Sequence, residues 1–456
     1  MLIRKIDTYI ENFYSTTNKA LLLTGARQVG KSYTITKYAK SHYTMFVECN
    51  FVKEPDLVKV FNNVKNETDI INRLQLFKQE TFTPNQTFIF FDEIQKCPDV
   101  LTWIKFLVQD GRFRYALSGS LLGLELNNVR SLPVGYIGEA TLYPLDFEEF
   151  LYALGINAQV IDNLRECWEE KKPVDEFIHN QVLKLFHLYL ITGGMPAVVQ
   201  KYVDTNDLLQ VENEQKDILK LYKHDISQYN KSKQLKVNEI FDLIPSELNA
   251  QNKRFIFKSL KESARFDAAE SNFLWLKNAD MALPVYNVDA PISPLKLNEK
   301  RNLFKLFQND VGLLSSQYAS GIQLRILQGE TNINFGAIYE NAVAQELHAH
   351  GFNLYYFTSK KQGELDFLLE SDAKITPIEV KSGKFYERHN ALSNILSTQE
   401  YNINNAIVLY NNNLQVKNTI VYAPIYMIMF IQKAITSKEL IYKADLTGLT
   451  NTPPHL

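Results

Sequence analysis

The sequence predicts an α/β protein in three parts, and three observations carry that reading. Between Lys19 and Leu145 short apolar runs alternate with amphipathic segments, the order of a parallel sheet flanked by helices. Past residue 155 the alternation gives way to helical periodicity. From Gly336 the order returns to helix, strand, strand, helix, strand.

The first sheet is expected from strands at Ala20–Thr24, 43–49, 87–91, Arg114–Ser118 and 140–145, with Pro144 closing the last. Phe147, Phe150 and Leu151 then share one face of a helix over Phe147–Ala153. Residues 155–235 read as a helical lid or linker, broken at Gly193-Gly194-Met195-Pro196, where two glycines and a proline cannot continue a helix. Apolar positions at helical spacing within 236–281, followed by a β-like run at Ala282–Val288, suggest a winged helix-turn-helix. A plain helical spacer would show the same pattern. The expected domains are 1–155, 156–235, 236–330 and 331–440, with a tail at 441–456.

The 456 residues suffice for about three domains. With 45% hydrophobic and 22% charged residues, each can bury a sizeable core. Lys+Arg 49 against Asp+Glu 51 leaves a net charge of -2, so a nucleic acid or an anionic lipid surface could be held only by a local patch. Cys49, Cys97 and Cys167 are widely spaced, which argues against a disulfide framework or a zinc site and fits a reducing cytoplasm. Charges at Arg4, Lys5, Asp7 and Glu11 interrupt any signal-peptide pattern. The longest apolar run, 420–431, contains Pro424 and is too short for a membrane span, so it is expected in a core.

Gly25-Ala26-Arg27-Gln28-Val29-Gly30-Lys31-Ser32 fits GxxxxGK[ST] between an apolar strand and a helix that continues through Tyr33, the context a phosphate-binding loop requires. Glycines let backbone N–H groups close around phosphates. Lys31 would meet the β- and γ-phosphates of ATP, and the Ser32 hydroxyl would ligate Mg²⁺. About 60 residues on, Phe88-Ile89-Phe90-Phe91 delivers Asp92 and Glu93 to the end of a buried strand. Asp92 would hold the same Mg²⁺, and Glu93 would act as general base on water.

The runs LLLTGARQVGKS, FFDEIQ, ALSGSLLGLEL and SLPVGYIGEATLYPLDFEEFL resemble the bacterial and archaeal AAA-type ATP-binding proteins whose C-terminal half is a domain of unknown function. The resemblance continues through ITGGMPAVVQ, FKLFQNDVGLL, GAIYENAVAQEL, GELDFLLE and PIEVKSG, nearly the whole chain. It implies an ATPase in which Ser118 stands at the sensor 1 position. Arg130 is the first candidate for an arginine finger, ahead of Arg112 and Arg114. Tyr136 stands where many relatives carry Arg or Lys, so no finger is expected there.

Glu340 falls on a helix, Asp366 on a following strand, and Glu379 and Lys381 emerge together from one side of the next strand. Asp followed by Glu-x-Lys resembles the restriction-endonuclease-like core. That likeness implies a second Mg²⁺ or Mn²⁺ held by Asp366 and Glu379, with Glu340 completing its shell and Lys381 acting on the hydrolytic water. A polar hairpin edge would look the same. Charges over 353–390 balance, six Lys+Arg against six Asp+Glu, so no strong phosphate-binding field is written there. The basic residues Lys253, Arg254, Lys258, Lys261 and Arg265 are the local candidates for DNA contact.

Three functions follow as expectations: an ATP-driven switch or motor moving a C-terminal effector, an ATP-licensed DNA nuclease, and an adaptor releasing a protein partner. A homo-oligomer would be needed for a finger supplied in trans. No membrane partner is expected.

Overall fold

The computed structural model describes residues 2–119, 133, 135–228, 234–250, 253–255, 266–318, 321–330, 335–383 and 386–433. Helix α1 (Lys5–Thr16) precedes strands β1 (Ala20–Thr24), β2 (Met45–Asn50), β3 (Thr87–Asp92), β4 (Arg114–Ser118) and β5 (Ile137–Thr141). All pair in parallel in the order β2-β3-β4-β1-β5. Helices α2 (Lys31–His42), α3 (Glu67–Lys78) and α4 (Asp99–Asp110) make the crossovers.

Side-chain alternation explains why both faces are covered. Leu22, Ile89, Phe91 and Leu117 pack with Ile70, Leu74, Leu101 and Ile104 on one face. Leu21, Leu23, Phe88, Phe90 and Ala116 join Ile10, Tyr14 and Ile35 on the other. Strand β5 lies three residues earlier than expected. Its register pairs Ala20 with Ile137, and the Leu142 N–H then donates to the Thr24 carbonyl, so residues 142–145 turn out of the sheet toward the next helix.

A helical region follows: α5 (Phe147–Ala153), α6 (Ala158–Glu170), α7 (Glu176–Thr192), α8 (Pro196–Thr205), α9 (Leu208–Gln228), α10 (Gln234–Asn249) and α11 (Phe266–Asn278). The break at Gly193-Gly194-Met195 stands between α7 and α8, with Pro196 at the first turn of α8, where its missing N–H costs no helical bond. A Cβ on Gly194 would fall 1.9 Å from the Leu145 carbonyl oxygen, so this corner packs directly on the chain leaving the first sheet.

The second sheet has eight strands in the order β12-β13-β11-β10-β9-β8-β6-β7. These are β6 (Ala282–Val288), β7 (Glu299–Gln308), β8 (Tyr355–Ser359), β9 (Gly363–Ser371), β10 (Lys374–Val380), β11 (Ala406–Tyr410), β12 (Gln415–Lys417) and β13 (Ile420–Pro424). Helices α12 (Val311–Ser315), α13 (Ile322–Leu327), α14 (Gly336–Ala349) and α15 (Asn390–Leu396) accompany them.

Strands on either side of the expected boundary at 330/331 share one sheet. The strand read as the wing, β6, pairs in parallel with β8, and β7 closes the sheet edge, so both belong to the C-terminal sheet. Lys258, Lys261 and Arg265 lie outside the described residues, as does the tail at 441–456. The apolar run 420–431 supplies β13 and a buried 3-10 turn, as a core segment should. Among the described residues no helix is long and apolar enough to cross a membrane.

Candidate functional site

The loop between β1 and α2 is shaped by its backbone. Gly25 has φ +132°, and a Cβ there would lie 2.1 Å from the Leu142 carbonyl oxygen, so only glycine fits. Gln28 and Gly30 take positive φ, 70° and 98°, and the curl brings the loop to the N-terminus of α2. Ala26 and Val29 are buried beneath it. Arg4, also buried, holds the loop from behind: it donates to the Val29 carbonyl at 3.3 Å, to the Tyr143 carbonyl at 2.7 Å and to Glu149 at 3.1 Å.

Lys31 Nζ donates to the Gly25 and Ala26 carbonyls at 3.0 and 2.8 Å. Burial lowers its pKa, while Glu93 and Asp92 act in the opposite sense. Its ammonium therefore lies between the loop and the carboxylates at the end of β3. Tyr33 is exposed on the first turn of α2.

Asp92 is the hub of the polar groups. Its Oδ2 accepts from Ser32 Oγ and Asn50 Nδ2, both at 2.9 Å, and its Oδ1 accepts from the Glu93 N–H at 3.0 Å and from the Ser118 hydroxyl. Ser32 and Asp92 together offer the hard oxygen donors that suit Mg²⁺. Glu93 follows with φ 59°, a conformation uncommon for a side-chain-bearing residue, and its carboxylate accepts from Gln95 Nε2. A Cβ on Gly119 would stand 2.7 Å from Gln95 Oε1, so the end of β4 abuts the residue that holds Glu93.

Ser118 is thus turned to Asp92. Its hydroxyl, at the position expected for sensor 1, bonds a carboxylate of the site. Arg130 lies outside the described residues. Arg112 pairs with Asp110 at 2.7 Å and Arg114 donates to the Thr17 carbonyl at 3.4 Å. Arg114 opens β4 and Arg112 lies just before it, at the sheet edge opposite Asp92.

Residues the sequence did not single out complete the surroundings. Arg27 pairs with Asp225 of α9, and the Tyr222 hydroxyl donates to the Arg27 carbonyl at 3.3 Å. Asn309 Nδ2 donates to that hydroxyl at 3.1 Å, and the neighbouring Asp310 accepts from the Gly194 N–H at 2.6 Å. Asn50 alone carried a sequence signal, as a polar residue at the end of a parallel strand.

Where helix α14 packs on the C-terminal sheet, Glu340, Asp366, Glu379 and Lys381 come together. Asp366 accepts from the Val380 N–H at 2.8 Å, and Lys381 Nζ lies 2.7 Å from Glu379. Burial, then the Asp366 charge, pushes the Glu379 carboxyl up to about 8, against the pull of Lys381. Two further ammonium groups enter the cluster. Lys305 Nζ lies 2.9 Å from Glu364, 3.6 Å from Glu340 and 3.8 Å from Asp366, and Lys253 pairs with Glu340. Burial alone would lower the Lys305 pKa, but Glu340, Asp366 and Glu364 hold it above its ordinary value. Arg254 donates to the Thr358 hydroxyl at 3.1 Å, so Lys253 and Arg254 are both engaged with the C-terminal domain.

Comparison with known families matches residues 17–151 to the AAA domain. Residues 183–324 match a domain of unknown function (DUF8612), and residues 335–428 match another (DUF4143). No curated protein matches the chain significantly. Among solved structures, the chain is similar to a Walker-type ATPase of Pyrococcus abyssi, at 14% identity over 70% of this chain and 96% of that one, with a TM-score of 0.41. It is also similar to RuvB of Thermotoga maritima, at 12% identity, 62% and 89% coverage and a TM-score of 0.29. For Cdc6p of Pyrobaculum aerophilum the values are 13%, 71% and 92%, and 0.25. Residues 17–151 are an ATP-binding AAA domain of the P-loop type.

Proposed function

We propose that this protein is an ATP-hydrolysing switch whose nucleotide state is passed through α9 to the C-terminal α/β domain. The observation that carries the reading is the bonding of Arg27, inside the phosphate loop, to both Asp225 and Tyr222 of α9. From Tyr222 the contacts run on through Asn309 and Asp310 to Gly194. A change in the loop therefore alters partners of α9 and of the segment that follows β7 without needing a long lever.

At the nucleotide, Lys31 and the N-terminus of α2 bind the phosphates, and Glu93, held by Gln95, orients and deprotonates the attacking water. Ser32 and Asp92 would hold a Mg²⁺ ion, which would supply neutralisation of phosphate charge. Steady-state turnover and fluorescent-nucleotide titration test this. Lys31→Ala is expected to lose nucleotide binding, whereas Glu93→Gln is expected to bind normally and hydrolyse ~100-fold more slowly or worse. Turnover of Glu93→Gln within a factor of about three of wild type would assign the base elsewhere.

A second reading is a Mg²⁺- or Mn²⁺-dependent DNA nuclease with the restriction-endonuclease-like C-terminal domain as its catalytic part. It is favoured by the convergence of Glu340, Asp366 and Glu379 beside Lys381, and opposed by Lys305 and Lys253, which already neutralise the carboxylates. Mg²⁺-dependent cleavage that Asp366→Ala abolishes would establish it. Equal products from both proteins, or none from either, would leave the domain as a binding module for DNA or protein.

A further inference from the structure

The end of the AAA domain meets helix α14 at a buried cluster that the nucleotide site does not use. Asp146 caps α5, and its Oδ1 accepts from the Glu149 N–H at 2.9 Å. Glu346 and His350 lie four residues apart and project from one face at the end of α14. One ligand atom from each of the three residues lies within 4.8 Å of the others. We propose that Asp146, Glu346 and His350 form a binding site for a zinc-class divalent cation that staples the AAA domain to the C-terminal domain.

Two polar atoms aim into the cluster without hydrogen-bond partners, His350 Nε2 and Glu346 Oε2. Their side chains are only 4% and 0% exposed. His350 Nδ1 lies 2.8 Å from the Ile431 carbonyl oxygen, so this nitrogen carries a proton and donates outward, which leaves Nε2 turned inward as the ligand atom, the orientation usual for a metal-bound imidazole. Burial lowers the His350 pKa, but Asp146 and Glu346 more than offset it and hold it above its ordinary value, so an arriving ion displaces a proton from Nε2. Nε2 is 3.8 Å from Asp146 Oδ2 and 3.7 Å from Glu346 Oε2. These gaps are too long for hydrogen bonds. They are close to the separation of two ligands on one ion, since zinc bonds to nitrogen and oxygen run about 2.0–2.2 Å.

The other oxygen of Glu346 is satisfied by the Phe147 N–H at 2.6 Å and the Tyr189 hydroxyl at 3.3 Å, which fixes the carboxylate in place. Charge also fits. Lys5 is 2.6 Å from Asp146 and 2.7 Å from Glu148, and Arg4 pairs with Glu149. Arg165 also reaches Glu148 at 2.8 Å and Asp162 at 3.3 Å, so counting Arg4, Lys5 and Arg165 against Glu149, Glu148 and Asp162 leaves Asp146 and Glu346, two negative charges for one divalent ion. The Lys5 side chain is 43% exposed and can withdraw to solvent, and a cavity of about 360 Å³ lined by Lys5, Tyr9, Tyr143, Asp146 and Glu149 adjoins it as a route of entry.

The test uses the full chain stripped with a chelator and titrated with Zn²⁺ against a chromophoric competitor. Wild type is expected to take one equivalent beyond any held elsewhere, undisplaced by Mg²⁺, which prefers a shell of oxygens. His350→Ala and Glu346→Gln should each weaken that equivalent at least ~100-fold. Lys31→Ala and Asp366→Asn should keep it, which separates this ion from the nucleotide site and the C-terminal carboxylates. Zn²⁺ should also raise the melting temperature of wild type and leave that of His350→Ala unchanged. Glu346→Gln can retain the Phe147 N–H bond, so it reports on the ion if His350→Ala folds poorly. Absence of the equivalent at micromolar free Zn²⁺, or its persistence in both variants, would overturn the proposal and leave a protonated His350 as the cluster's cation.

Discussion

An ammonium with no exposed surface is costly to bury unless anions surround it, and Lys305 meets that condition through Glu364, Glu340 and Asp366. Lys305→Met should therefore lower stability by about 3–5 kcal/mol in urea denaturation, because three carboxylates would lose their counter-ion. Adding Glu340→Gln should recover part of the loss, a coupling that distant sites do not show. A cost below about 1 kcal/mol would mean that Lys253 alone suffices. None of this was legible in the sequence, where Lys305 reads as one more polar residue on an apolar strand. The phosphate loop was legible because its chemistry is local: eight consecutive residues build it. The Ser118 side chain was not, since its bond to Asp92 joins two different strands.

At the scale of elements, helix α14 shows why resemblance marked positions that periodicity could not explain. It is buried from Ala337 to Leu347, polar residues included. Asn341 bonds the Gln308 backbone N–H and carbonyl at 2.8 and 3.1 Å, and Gln345 accepts from the Val311 N–H at 2.7 Å. Those side chains complete the backbone bonding of β7 and α12. The place of β6 in the sheet was hidden for a related reason, since it finds its partner in residues 355–357, a pairing that no local pattern encodes.

His187 on α7 ties the lid to α14, its Nε2 lying 2.9 Å from the Tyr339 hydroxyl. Burial pushes the His187 pKa down to about 4. A depressed folded value means the neutral imidazole favours the native state fully above the unfolded pKa near 6.5, and that contribution is lost as the pH falls toward 4. The loss should approach about 3 kcal/mol. His187→Gln should flatten this limb between pH 7 and 4, as read from denaturation midpoints. An unchanged slope would show that other groups govern it.

For the molecule as a whole, one apolar core runs from Ile10 in α1 through Val237 in α10 to Ile431, so the AAA domain, lid and C-terminal sheet share packing. Large rigid-body excursions would have to break that core. Local reordering along α9 and residues 308–315 would not, and this is the form of coupling expected here. Hydrogen exchange on full-length Glu93→Gln, with ATP held unhydrolysed and then with ADP, measures it directly. Residues 25–32, 222–228 and 308–315 should differ in protection between the two nucleotides. In Glu93→Gln with Tyr222→Phe the difference at 25–32 should remain while that at 308–315 disappears. A nucleotide-dependent change confined to 25–32, with 222–228 and 308–315 exchanging identically in both states, would contradict the switch.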